Sequence, residues 1–84
     1  MSEHVESQIR RFIEENFLFA DNMAAFPTEK SLIEAGVIDS TGVLELVSFL
    51  ESAFAIKVAD ADIIPQNLDS IAAITRFVHT KQAA

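Results

Sequence analysis

GVIDSTGVLELVSFLE, residues 36–51, places one serine between an aspartate and a strongly amphipathic run. At about 100° per residue the apolar side chains after the serine fall on one stripe, as in a helix packed against a core. The stripe consists of Val43, Leu46, Val47, Leu50, Ala53 and Phe54. The opposite face carries Thr41, Glu45, Ser48 and Ser52. We therefore predict a helix that begins at Ser40 and buries this stripe.

The chain before this helix contains another amphipathic segment and a long connection. Apolar residues recur at three- and four-residue spacing and predict a helix over residues 3–19. They are Val5, Ile9, Phe12, Ile13 and Phe17. From residue 20 to residue 39, Pro27 and Gly36 indicate an irregular connection, in which we expect one helical turn at residues 31–34.

Two further helices are predicted after Ser40. A short one is expected at residues 60–65, where Asp60 and Asp62 suit a helix start and Pro65 sets the end. The last begins near Asp69 or Ser70, either of which can cap it, and frays after His79. Its predicted buried residues are Ile71, Ile74, Phe77 and Val78. Because no stretch alternates with period two, we predict an all-α four-helix bundle with a long first loop.

Composition limits both the size of the fold and the class of partner. The 84 residues are 50% hydrophobic and contain no cysteine, which allows one small domain over residues 1–84. Thirteen acidic and six basic residues give a net charge of −7, which disfavours nucleic acid and favours basic partners. The same charge is also explained by solubility alone. We expect a cytoplasmic monomer with no signal peptide and no membrane insertion.

Catalytic or metal-binding use of these residues is not expected. A serine nucleophile needs a general base in reach, and the only histidines, His4 and His79, lie near the two chain ends. No nucleophile-elbow glycine pattern surrounds Ser40. Asp60 and Asp62 start like a calcium loop, but Ile64 occupies the fifth position and no glycine occupies the sixth.

A covalent phosphoester is a better use for a serine at this position. The free backbone amides and the helix dipole favour a phosphate at a helix N-terminus by about 0.3 to 1 kcal/mol. The simpler reading is that Asp39 or Ser40 is only the N-cap, worth roughly 1 kcal/mol. Local chemistry by itself favours the N-cap.

The order Gly36-Val37-Ile38-Asp39-Ser40, followed by Val43 to Val47 and Leu50-Glu51, resembles the acyl and peptidyl carrier protein family. The resemblance covers most of the chain, including a final helix that starts at Leu68-Asp69-Ser70-Ile71. It implies an acyl-carrier type of bundle in which Ser40 carries 4'-phosphopantetheine, derived from coenzyme A, with Asp39 as its acidic neighbour. It also implies attachment by a phosphopantetheinyl transferase and no catalytic activity of the chain's own.

The resemblance further implies a partner-recognition face on the helix that begins at Ser40. Its residues are Thr41, Gly42, Leu44, Glu45, Ser48 and Glu51. Thr41 replaces the family's usual leucine, Gly42 a frequent acid, and Ser48 a frequent methionine. Unless these changes are neutral drift, the partners differ from the enzymes of housekeeping fatty-acid synthesis. We therefore expect a dedicated biosynthetic pathway.

In such a pathway an adenylate-forming acyl or aminoacyl ligase loads the arm, and acyltransferases or synthases use the thioester. Phenylalanines are expected to fill the bundle, which implies short or polar cargo; they are Phe12, Phe17, Phe54 and Phe77. The alternatives are a housekeeping fatty-acid carrier and an unmodified acidic helical interaction module. A minimal hydrolase that uses Ser40 lacks a nearby base.

Overall fold

The computed structural model describes residues 2–17 and 25–83. Within these ranges the helices are α1 (Ser2–Asn16), α2 (Ser40–Phe54), α3 (Pro65–Leu68) and α4 (Ile71–Ala83), and a 3₁₀ helix (Asp60–Asp62) precedes α3. The described residues contain no strand. The prediction of a small all-α bundle with three longer helices and a short third helix is confirmed.

Helix α4 lies at the centre of the packing, because α1, α2 and α3 all contact it. One hydrophobic cluster joins these helices to the connection that precedes α2. Its fully buried large side chains are Ile9, Ile13, Leu32, Leu46, Leu50, Ile71, Ile74 and Val78. Each such side chain stabilises the fold by about 1.5 to 3 kcal/mol relative to exposure.

The stripe predicted for α2 is correct at its centre and wrong at one edge. Leu46 and Leu50 are fully buried, and Val43, Val47 and Phe54 are partly buried against the core. Ala53 is exposed, because it lies at the edge of the stripe in the last turn.

In α4 the predicted burial is confirmed, since Ile71, Ile74, Phe77 and Val78 are all buried. Ser70 is the residue that caps this helix: its hydroxyl oxygen accepts a hydrogen bond from the Ala73 N–H at 3.0 Å. The predicted fraying after His79 is wrong, because α4 continues to Ala83. Lys81 stabilises the last turn in two ways. Its ammonium forms an ion pair with Asp62 and lies over the Phe77 ring, 5.7 Å from the ring centroid.

The boundaries of the first and third helices also differ from the prediction. Helix α1 ends at Asn16, and residues 18 and 19 of the predicted helix lie outside the described residues. Pro65 begins α3 instead of ending a helix, because a proline at the first helical position loses no hydrogen bond and has a suitable φ. The acids Asp60 and Asp62 belong to the separate 3₁₀ turn.

The connection contains the expected helical turn, closed by a hydrogen bond from Ala35 N–H to the Ser31 carbonyl at 3.1 Å. Gly36 ends the turn with φ of +76°. Its N–H donates to the Ile33 carbonyl and the Val37 N–H to the Leu32 carbonyl, each at 3.0 Å. This is the Schellman arrangement, in which a left-handed residue after the helix satisfies the last carbonyls.

Two positions in left-handed conformation provide a matched pair of substitutions. Gly36→Ala should lower the free energy of unfolding by about 1 kcal/mol, because a Cβ is disfavoured at positive φ. Ala55, the C-cap of α2, has φ of +55°, so Ala55→Gly should raise this free energy by up to about 1 kcal/mol. Urea unfolding followed by circular dichroism measures both, and shifts of the same sign would contradict the expectation.

The contact between Asp62 and Lys81 should make stability depend on pH. The Lys81 ammonium, 2.8 Å away, is the main reason that the pKa of Asp62 lies below its ordinary value, and the Ala59 N–H, 3.0 Å away, is the second. The resulting stabilisation is complete above the unfolded-state pKa of about 3.9 and is lost as pH falls through the lower folded-state pKa.

Asp62→Asn should therefore be less stable than the wild type at neutral pH, and the difference should shrink as pH falls below about 4. Urea unfolding across this range measures the difference. Asp60→Asn is the control, because it removes the same charge from the same 3₁₀ turn without breaking the Lys81 ion pair. A difference that stays constant with pH would rule out this contribution of Asp62.

Candidate functional site

Ser40 is exposed and is the first residue of α2. Asp39 is the N-cap: its backbone is extended, and its carboxylate accepts a hydrogen bond from the Gly42 N–H at 2.7 Å. The Asp39 carbonyl accepts from the Val43 N–H at 3.0 Å. Because Asp39 caps the helix, the Ser40 hydroxyl is not needed for this purpose.

The chain before Ser40 is anchored in the core, which fixes where the hydroxyl lies. Val37 and Ile38 are buried, with only 8% and 3% of their surfaces exposed. The N–H groups of both residues donate to the carbonyl of Leu32, at 3.0 and 3.4 Å. The transition from a buried pair to an exposed helix start therefore occurs at Asp39.

An apolar groove of about 380 Å³ lies beside Ser40. Large hydrophobic side chains are exposed at three described positions, Ile33 (46%), Leu44 (62%) and Ile64 (41%), and all of them line this groove. The other lining residues are Ser40, Val43, Ile63, Pro65, Leu68 and Asp69. A concave apolar surface with few polar groups is typical of a ligand or partner site.

The sequence analysis assigned Leu44 to the partner-recognition face and did not predict the groove. Ile33 comes from the connection, and Ile63 and Ile64 come from the segment before α3. The adjacent pair Ile63-Ile64 is a usable signal, since a short segment cannot easily bury two consecutive large side chains on one side. Ile33 has no comparable signal, because it follows the buried Leu32 in a polar turn.

The six residues assigned to the partner face differ in their exposure. Thr41, Leu44, Glu45 and Ser48 are exposed on α2. Glu51 is partly buried. Its carboxylate accepts a hydrogen bond from the Val58 N–H at 2.9 Å, so it also holds the segment after α2.

Gly42, which the sequence analysis assigned to the partner-recognition face, does not expose its backbone beside Ser40. It is buried, and a Cβ at this position would lie 2.5 Å from Cε1 of Phe17 and 3.3 Å from the Asp39 carboxylate. Phe17 covers this turn of α2, so the small size of Gly42 serves packing within the chain.

Four phenylalanines form a cluster at the surface between α1 and α2. Phe12 stacks on Phe49 with ring centroids 4.2 Å apart. Phe17 makes an edge contact with Phe12, with centroids 5.8 Å apart, and Phe54 makes one with Phe49, with centroids 5.9 Å apart. All of these rings are only partly buried, whereas Phe77 is in the core. Of the four phenylalanines expected to fill the bundle, only Phe77 is buried in the core, and the other three pack against it from the surface.

The residues that line the groove do not offer Ser40 an evident general base. Asp69 is the acidic residue of the lining, and both of its carboxylate oxygens accept hydrogen bonds, one from the Ser31 hydroxyl and one from the Ile33 N–H. His79 has a buried Nε2 without a partner in the described structure, and it is not a lining residue. The described residues contain no cluster of side chains able to hold a metal ion.

No protein-family model matches the chain, and no curated protein has significant similarity to it. Among the described helices, none combines the length and the apolar character needed to cross a membrane.

Proposed function

We propose that this chain is a carrier protein in which Ser40 bears a 4'-phosphopantetheine arm that holds an acyl or aminoacyl group as a thioester. The observation that supports this most directly is the exposed Ser40 hydroxyl beside the apolar groove. The resemblance of the sequence around Asp39 and Ser40 to carrier proteins supplies the identity of the arm.

The attachment is a balanced phosphoryl transfer carried out by a separate transferase. The Ser40 oxygen forms a bond to the β-phosphorus of coenzyme A, and the bond between that phosphorus and the bridging oxygen breaks. The adenosine half leaves with its phosphates, and the serine proton passes to a base of the transferase. At the N-terminus of α2 the helix dipole favours the resulting phosphodiester by about 0.3 to 1 kcal/mol.

In this function the chain transports and does not catalyse. A ligase loads the acyl or aminoacyl group onto the arm, and the arm presents the thioester to the acyltransferases or synthases that use it. Attachment to the arm raises the local concentration of the thioester at each active site. An apolar groove of about 380 Å³ suits a short aliphatic group better than a polar one, because it offers few hydrogen-bonding partners.

The partners are proposed to belong to a dedicated pathway, because Thr41 and Ser48 make the exposed face of α2 polar. Electrostatic attraction between the chain, with net charge −7, and basic partners should speed association and should weaken with salt. If Thr41 and Ser48 are neutral changes, the chain is a carrier for housekeeping fatty-acid synthesis.

The exposed Leu44 also favours a second candidate, an unmodified interaction module. A side chain that is 62% exposed beside an apolar groove is the kind of surface that a partner protein covers. In this function the Ser40 hydroxyl has no covalent role, so Ser40→Ala should retain partner binding and biological activity.

The first test is intact mass after incubation with coenzyme A, magnesium and a broad-specificity phosphopantetheinyl transferase. The wild type should gain one phosphopantetheine and Ser40→Ala should gain none, because the serine oxygen forms the new bond. Ser52→Ala is the matched control and should be modified, since it removes an exposed hydroxyl from the same helix at a residue outside the partner-recognition face. No gain in folded wild-type protein with two unrelated transferases would reject the carrier function and favour the interaction module.

The partner-face hypothesis is tested with Thr41→Leu combined with Ser48→Met. Restoring apolar contacts should raise kcat/KM with fatty-acid synthesis enzymes about tenfold, in line with about 1.4 kcal/mol of recovered contact energy. Steady-state kinetics with variants that carry the phosphopantetheine arm measures kcat/KM. Ser52→Met, on the same exposed face, is the control and should have little effect. Unchanged kinetics in the double variant would mean that Thr41 and Ser48 do not set partner choice.

A further inference from the structure

Asp69 is unusual among the groove residues because its carboxylate accepts hydrogen bonds from the connection that precedes α2 and not from α4, which begins two residues later. Ser70 already caps α4 through the Ala73 N–H. The Asp69 carboxylate instead accepts hydrogen bonds from Ile33 and Ser31 in the connection that precedes α2. These residues lie 36 and 38 positions earlier in the chain. Its role is therefore not the helix capping that its place in the sequence suggests.

Three hydrogen bonds attach residues 31–33 to Asp69. The Ser31 hydroxyl donates to Oδ2 at 2.6 Å, and the Ile33 N–H donates to Oδ1 at 2.9 Å. The Leu32 N–H donates to the Asp69 carbonyl at 2.7 Å. Hydrogen bonds to an ionised carboxylate are stronger than those between neutral groups. They fix the backbone of Ile33 to the junction between α3 and α4.

This contact matters for the groove because Ile33 and Asp69 both line it. Leu32 anchors the same segment, but its side chain is fully buried in the core, whereas Ile33 remains 46% exposed. Ile33 is remote in sequence from Ile64 and Leu68, which also line the groove. The distance between Ile33 and these residues therefore depends on the hydrogen bonds that Asp69 accepts.

We propose that Asp69 is a positioning residue that fixes Ile33 as a wall of the groove and so determines how well the groove binds an aliphatic acyl thioester. The identity of this ligand rests on the proposed carrier function, whereas the coupling between Asp69 and Ile33 does not. Asp69 acts through Ile33, so removing Asp69 should matter only while the Ile33 side chain is present.

The experiment is an NMR titration of the unmodified protein with S-octanoyl-N-acetylcysteamine, a free aliphatic thioester. Binding is followed through the methyl signals of Ile33, Leu44 and Ile64, which should all shift in the wild type. Asp69→Ala removes two of the three hydrogen bonds and should weaken the apparent affinity at least about fivefold, the size expected for the net loss of one of them. Glu34→Ala is the matched control, because it removes an exposed acid from the same turn.

A double-mutant cycle separates positioning from a general loss of structure. In the Ile33→Ala background, Asp69→Ala should cause little further loss of affinity, because the wall that it positions is already gone. Independent, additive losses would overturn the proposal, and so would the absence of groove shifts in the wild type. The Ile33 amide should also exchange faster with solvent in Asp69→Ala, since its acceptor has been removed.

Two further comparisons keep the test decisive. Should Asp69→Ala fail to fold, Ser31→Ala removes one of the same hydrogen bonds and should weaken binding in the same direction; unchanged affinity would overturn the proposal. Since the thioester is added free in solution, the result does not depend on Ser40. Failure of coenzyme A loading with intact coupling would reject the carrier function alone, and normal loading without coupling would reject the role of Asp69 alone.

Discussion

The burial of Leu32 is the constraint on which the rest of the structure depends. This side chain is fully buried, and it brings the connection between α1 and α2 into the core formed by α1, α2 and α4. Its N–H donates to Asp69, and its carbonyl accepts from Val37 and Ile38. Truncating a buried leucine of this kind costs about 2 to 5 kcal/mol. Through these contacts one residue determines where Ser40 lies and where Ile33 meets α3.

The acidic character of the chain has a structural use that net charge does not reveal. Between residues 39 and 69 there are six acids, and four of them accept hydrogen bonds from backbone N–H groups: Asp39, Glu51, Asp62 and Asp69. These carboxylates hold a helix start, a 3₁₀ turn and two loop segments. Glu45 and Asp60 are exposed, as is Asp39.

Much of the helical structure could be predicted from the sequence, because it depends on residues close together along the chain. Helix α2 starts at Ser40 as its amphipathic period indicates, and α4 buries the predicted residues. The errors occur where local signals are ambiguous. Pro65 can end one helix or begin the next, and the C-terminal turn of α4 persists because Lys81 reaches Asp62 on another element.

The sequence by itself determined the helical class, the place of Ser40 at the start of α2 and the polar face beside it. Only the tertiary structure decided the groove, because Ile33, Leu44 and Ile64 come from separate segments of the chain. The same holds for Gly42, whose size matters only under Phe17, and for Asp69, whose partners lie 36 and 38 residues away. Periodicity reports which side of a helix is buried, but which remote side chains meet depends on how the whole chain packs.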